Sequence, residues 1–133
     1  MISPPWHAPA DEFIILILDD DFAVRDSLKF ALQIEGFTVL TYAHPDELLQ
    51  ERSVPNPCCL IVDYHMPAMN GLDLIARLRE RGIANSAILV TVHPDDDMRA
   101  KAADLGVPIV EKPFLGPQLL MQIREAFGAF GAK

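Results

Sequence analysis

The sequence predicts an α/β fold, a parallel sheet with helices on both faces, and three observations carry that reading. Short strand-like segments recur five times, as FIILIL, FTVL, CCLIVD, AILVT and VPIV. Several are apolar throughout rather than alternating, which suits strands buried on both sides. Between them lie segments whose apolar residues repeat every 3.6 positions, so strand and helix alternate along the chain, the pattern of βαβ units. With 133 residues and 14.8 kDa, the chain is the size of a single domain with one core.

The elements follow in order. Residues 1–12, MISPPWHAPADE, hold three prolines and no periodicity, and read as a flexible arm. Phe13 to Leu18 is the first strand, bounded by acids. Asp21 can cap the helix that follows, in which Val24, Leu28, Ala31, Leu32 and Glu35 keep the helical beat until Gly36 stops it. Phe37 to Leu40 is a short second strand. His44-Pro45-Asp46-Glu47 opens a second helix, with proline and acids in its first turn. Cys58 to Asp63 is a third, fully buried strand, and MPAMNG is a loop. Leu72, Ile75, Ala76, Leu78 and Arg79 mark a third helix that closes at Gly82. Ala87 to Thr91 is the fourth strand. Asp95, Asp96 and Asp97 begin a helix ending at Gly106, as ordinary partners of its dipole. Residues 107–110 form a fifth strand that Pro108 confines to an edge. Leu119, Leu120, Ile123 and Phe127 outline the last helix. The domain is expected over residues 13–128, with 129–133 as a tail.

Charge and composition narrow the function. Eleven basic residues against 19 acidic ones leave a net charge of −8, a poor basis for direct nucleic-acid binding, which needs clustered cations. Arg77, Arg79 and Arg81 are the only basic cluster, and a solvated helix face accounts for them. The longest apolar run is Phe13 to Leu18, far short of the ~20 residues of a membrane span. No charged-then-apolar leader precedes it, so the expectation is a cytoplasmic protein. Cys58 and Cys59 are neighbours that cannot join distant segments, and read as small buried side chains in a reducing compartment.

In open parallel sheets, ligands bind beyond the carboxyl ends of the strands. Here those ends carry Asp19-Asp20-Asp21, Asp63, Thr91 and Lys112-Pro113. Converging carboxylates repel unless a cation neutralises them, and Mg²⁺, which takes oxygen ligands and keeps several waters, is the natural one. Lys112 adds a mobile positive charge and Thr91 a hydroxyl. A carboxylate beside Mg²⁺, a lysine and a hydroxyl is equipment for accepting a phosphoryl group. No glycine-rich nucleotide loop is present, so a phosphoryl group delivered by a protein or small molecule fits better than a nucleotide.

FIILILDDD, LIVDYHMPAMNGLDL, ILVTVH and EKPF, in this order and spacing, resemble the receiver domain of two-component response regulators over residues 13 to 128. The resemblance implies a doubly wound, flavodoxin-like sheet of five parallel strands in the order 2-1-3-4-5, with five helices. It implies that Asp63 is the phospho-acceptor and that Asp19, Asp20 and Asp63, with the backbone carbonyl of His65, hold Mg²⁺. Thr91 and Lys112 would hold the phosphoryl oxygens, and the Lys112-Pro113 bond would be cis. Asp21 is assigned to helix capping rather than to the metal. His65 and His93 flank the site, but zinc would need further nitrogen or sulfur ligands, and the cysteines lie at the far end of their strand. His65 fits a tuning role near the acceptor.

Three departures from the family pattern stand out. Val92 occupies a position usually held by a small residue and should narrow access to the acceptor. Ile109 stands where an aromatic residue usually couples to the threonine as a switch. No effector domain follows, which fits either a regulator that works alone or a piece of a longer protein.

The expected function is a phosphorylation-switched receiver, charged by a histidine kinase or phosphotransfer protein. Its face of helix four, strand five and helix five would meet a protein partner or a second copy, with no nucleic acid or membrane contact. It would be a phospho-acceptor, not a turnover enzyme. A receiver-like binding module that does not switch is the alternative, resting on Val92 and Ile109. A Mg²⁺-dependent phosphohydrolase is a further one, for which 133 residues leave little room for a substrate pocket and cap.

Overall fold

The computed structural model describes residues 14–50, 58–82, 86–112 and 118–131. In chain order these form β1 (Ile14–Leu18), α1 (Phe22–Ile34), β2 (Thr38–Tyr42), α2 (Pro45–Leu49), β3 (Cys58–Asp63), α3 (Gly71–Glu80), β4 (Ser86–Thr91), α4 (Asp96–Leu105), β5 (Ile109–Glu111) and α5 (Gln118–Gly131). All strand pairs are parallel, in the order β2-β1-β3-β4-β5. The expected arm at residues 1–12 lies outside the described residues, as do the side chain of Cys58 and the Lys112-Pro113 bond.

Strand alternation divides the core in two. Ile14, Leu16 and Leu18 of β1, with Leu60, Val62, Ala87 and Leu89, pack against Leu72, Leu74, Ile75 and Leu78 of α3 and Met98 and Ala102 of α4. Ile15 and Ile17, with Cys59, Ile61, Ile88, Val90 and Val110, pack against Leu28 and Leu32 of α1 and Leu119 and Ile123 of α5. Both sides of β1 are therefore sealed, as its unbroken apolar run requires. Burial pushes the Cys59 thiol up to about 12, which keeps it a small inert core residue.

The helix ends follow from their sequences. Asp21 accepts from the Ala23 and Val24 N–H groups at 2.9 and 3.3 Å and caps α1. At the other end, Gly36 takes a φ of +96°, and the Phe37 N–H reaches back to the Leu32 carbonyl at 3.1 Å. Asp95 caps α4 through the Met98 N–H at 2.8 Å, and Asn70 caps α3 through Asp73 N–H at 2.9 Å.

Several boundaries differ from the sequence reading. The second strand begins at Thr38 and runs on to Tyr42, because Phe37 is spent on closing α1 while Thr41 and Tyr42 continue to pair with Ile17 and Leu18. β5 starts after Pro108, whose carbonyl accepts from the Leu89 N–H at 2.9 Å, and it is an edge strand. α5 continues to Gly131, three residues into the expected tail. Two glycines near a helix end cost only about 1 kcal/mol each, too little to stop a helix already formed. Of the arginine cluster, Arg77 faces solvent, whereas Arg79 donates to the Leu105 carbonyl and Arg81 to the Leu49 carbonyl at 2.6 Å. These two tie the end of α3 to its neighbours.

Candidate functional site

From β1 the chain turns to β2 on one side, then crosses to β3 on the other. The reversal leaves a crevice at the carboxyl ends of β1 and β3, and both strands end in acid. Asp19 and Asp63 are 3% and 5% exposed, and the neighbouring Asp20 is exposed. One carboxylate oxygen from each of Asp19, Asp20 and Asp63 lies within 4.8 Å of the other two.

Asp19 is held at every polar atom. Its N–H donates to the Tyr42 carbonyl at 3.3 Å and its carbonyl accepts from Arg25 Nη1 at 2.7 Å. Its Oδ1 accepts from the Asp21 N–H at 2.9 Å and its Oδ2 from Lys112 Nζ at 2.8 Å. Lys112 Nζ is also 3.4 Å from Asp63 Oδ1. The Lys112 N–H donates to the Thr91 carbonyl at 2.8 Å, which fixes the lysine backbone to the end of β4.

The electrostatics are those of an acid-rich pocket. Burial, and then the charge of Asp19, push the Asp63 carboxyl above the usual range, against the opposing pull of Lys112 and of the His65 backbone N–H. Burial alone would lower the Lys112 ammonium, but its hydrogen bond to Asp19 and the charges of Asp19 and Asp63 outweigh it and raise it. Three carboxylates face one ammonium, so negative charge is left over for a cation to neutralise. An all-oxygen donor set of this kind suits a hard divalent ion and not zinc.

Thr91 lies one residue beyond Val90, the register partner of Asp63. Its side chain is fully buried, and Oγ1 has no hydrogen-bond partner among the described residues. A buried hydroxyl left without a partner is costly, so this atom is ready for an acceptor. Val92 is 47% exposed beside it. Ile109 is half-buried against the cluster of α3 and α4. His65 and His93 are exposed, and the His65 ring meets Tyr64 edge-on at 5.0 Å. The structure thus brings Asp19, Asp20, Asp63 and Lys112 together, places Thr91 at the end of the adjacent strand, and leaves both histidine rings at the rim.

Three residues that support the site were not singled out from the sequence. Gly71 packs its Cα against the end of β3, where a Cβ would meet the Asp63 carbonyl oxygen at 2.6 Å. Ala68 takes a φ of +73°, with the Met69 N–H closing on the Pro67 carbonyl at 2.8 Å, a strained γ-turn within the loop after Asp63. Arg25 grips the Asp19 carbonyl from α1 and lies 5.4 Å from the centre of the Phe22 ring.

Comparison with known proteins agrees with this fold. The family model described as the response regulator receiver domain matches residues 15–124. The chain is similar to the transcriptional regulatory protein FixJ of Azorhizobium caulinodans, 32% identical over 113 residues, which are 84% of this chain and 54% of that protein. It thus spans about half the length of that curated relative. Among solved structures, FixJ-N superposes with a TM-score of 0.78 at 31% identity, covering 88% of this chain and 94% of that one. The beryllofluoride-activated NtrC4 receiver domain dimer does so with a TM-score of 0.78 at 27% identity, covering 88% and 98%.

Proposed function

The chain belongs to the response regulator receiver domain family, and on that premise we propose that Asp63 accepts the phosphoryl group. Phosphorylation and signal switching are what this family does. The donor is a phosphorylated histidine of a kinase or phosphotransfer protein. An Asp63 carboxylate oxygen attacks phosphorus, the P–N bond breaks, and its electron pair stays with the departing imidazole.

The observation that carries this reading is a pair of buried groups at the ends of two adjacent strands. One is a carboxylate, Asp63, under an ammonium. The other is a hydroxyl, that of Thr91, with no partner among the described residues. Lys112 would exchange its bond to Asp63 for one to a phosphoryl oxygen, and Thr91 Oγ1 would donate to another. Asp19 and Asp20, with Asp63 and the His65 carbonyl, would hold Mg²⁺, which neutralises charge building on the transferring oxygens. Val92 narrows the approach, and His65 at the rim orders or blocks water that would hydrolyse the product. The protein is read as a phospho-acceptor and not a turnover enzyme, since only short loops surround the site among the described residues.

The output is assigned to protein contact through α4, β5 and α5, with a partner or a second copy. NtrC4, named as a receiver domain dimer, offers a parallel for the second copy. On this face Arg99 of α4 pairs with Glu111 of β5 at 3.3 Å. Ile109 would take the place of an aromatic switch residue by moving toward Thr91. A net charge of −8 disfavours direct nucleic-acid contact by this chain. Among the described residues no helix is long and apolar enough to cross a membrane, and a cytoplasmic location is proposed.

The test is intact mass after incubation with acetyl phosphate and Mg²⁺, with Asp63→Asn alongside. One added phosphoryl group that requires both Mg²⁺ and Asp63 is the expected result. No adduct on the unaltered protein, or an adduct that survives the Asn substitution, overturns the assignment.

A further inference from the structure

We infer that Arg25 is a positioning residue for the acidic cluster, acting through the peptide group that joins Asp19 to Asp20. The Asp19 carbonyl and the Asp20 N–H belong to one rigid planar unit. Arg25 Nη1 holds that carbonyl at 2.7 Å, so it fixes the plane from which the chain enters Asp20. Asp19 is anchored independently, by Tyr42 at its N–H and by Asp21 and Lys112 at its carboxylate. Asp20 is exposed, and among the described residues no hydrogen bond or ion pair holds its side chain. Its carboxylate nevertheless lies within 4.8 Å of those of Asp19 and Asp63. The direction of the shared peptide is therefore what sets the spacing of the two neighbouring acids.

Arg25 suits this task better than a lysine would. Its planar guanidinium lies over the Phe22 ring, 5.4 Å from the centroid, and that ring stands at the first position of α1. The stacking pre-orders the fork, so one nitrogen is delivered to the carbonyl at little further entropic cost. Geometry and charge make opposite predictions. As a nearby cation, Arg25 repels a divalent ion, and its removal would tighten metal binding. As the clamp on the peptide, it places Asp20, and its removal would loosen binding.

The inference rests on the receiver reading, and calorimetric titration of the apo protein with Mg²⁺ separates the two. Arg25→Met keeps an unbranched stem on Phe22 but loses the donor. It is expected to weaken Mg²⁺ binding by about tenfold, the weight of one charge-assisted hydrogen bond. Arg25→Lys, which keeps a donor, should recover most of the affinity. In the acetyl phosphate reaction, the Mg²⁺ concentration for half-maximal rate should rise for Arg25→Met while the rate at saturating Mg²⁺ changes little. A purely structural role would lower the melting temperature without moving that midpoint. Unchanged or tighter Mg²⁺ binding by a folded Arg25→Met overturns the inference alone. Failure of the unaltered protein to bind Mg²⁺ overturns the receiver reading and this assignment with it.

Discussion

Gly71 stands so close to the end of β3 that a Cβ on it would lie 2.6 Å from the carbonyl oxygen of Asp63 and 2.9 Å from Val62 Cγ1. The first turn of α3 is thus pressed against the backbone of the acidic strand end. The Gly71 N–H, donating to the Tyr64 carbonyl at 3.1 Å, holds it there.

Gly71→Ala cannot be absorbed by a side-chain rotation, because the nearest obstacle is backbone. Forcing the two elements apart is expected to cost about 2 kcal/mol, typical of overpacking, and to slow phosphoryl incorporation by shifting Asp63. Urea denaturation and the acetyl phosphate time course read the two effects. An unchanged urea midpoint would show that the contact is slack.

Asp63 carries a stability cost that Asn would not. Its carboxyl is raised above the ordinary 3.8 by burial and by Asp19, so the folded state resists ionising it. That penalty is present in full above the folded pKa and vanishes once pH falls below 3.8. Asp63→Asn should therefore melt at a higher temperature than the unaltered protein near neutral pH, with the gap closing as the pH is lowered. A gap that stays constant with pH would mean the gain has another source.

Ala68 sits in the left-handed region at φ +73°, which costs an L-residue about 1–2 kcal/mol. Ala68→Gly relieves that strain and gives back up to about 1 kcal/mol in the flexibility of the unfolded chain. A net gain of about 0.5 kcal/mol is expected, seen as a small rise in the urea midpoint. Ala68→Val should move the midpoint the other way, and a loss of stability on Ala68→Gly would contradict the strain.

Much of this was legible beforehand, for physical reasons that can be named. CCLIVD is apolar to its last residue and then acidic, and β3 spans those six positions. Asp21 precedes a periodic run and caps it. The strand ends of a parallel sheet share one edge, so Asp19, Asp63 and Lys112 could be expected to meet. The far end of β2 was not legible, because Thr41 and Tyr42 are in the strand through pairing with β1, and pairing leaves no mark in a short segment. Arg25 was missed because its contact is from side chain to backbone, which no periodicity encodes. Its only signal was position, one helical turn beyond the cap. Gly71 was read as the last residue of the MPAMNG loop, whereas it opens α3, and its closeness to Asp63 is a matter of packing. The φ of Ala68 was hidden because alanine gives no warning of a left-handed turn, as glycine or asparagine would.

The alternation of the strands has a consequence for how a signal could travel. By parity, Asp63 shares the side of Cys59 and Ile61, which faces α1 and α5, whereas Thr91 follows Ala87 and Leu89 toward α3 and α4, the side on which Ile109 packs. The sheet is a partition, with the acid on one side and the α4 layer on the other. A charge placed on Asp63 reaches α4 only by crossing that wall, and the end of β4 is a doorway in it. Because the Lys112 N–H hangs on the Thr91 carbonyl, the hinge of that doorway is shared. Whatever draws Thr91 inward draws the end of β5 along with it.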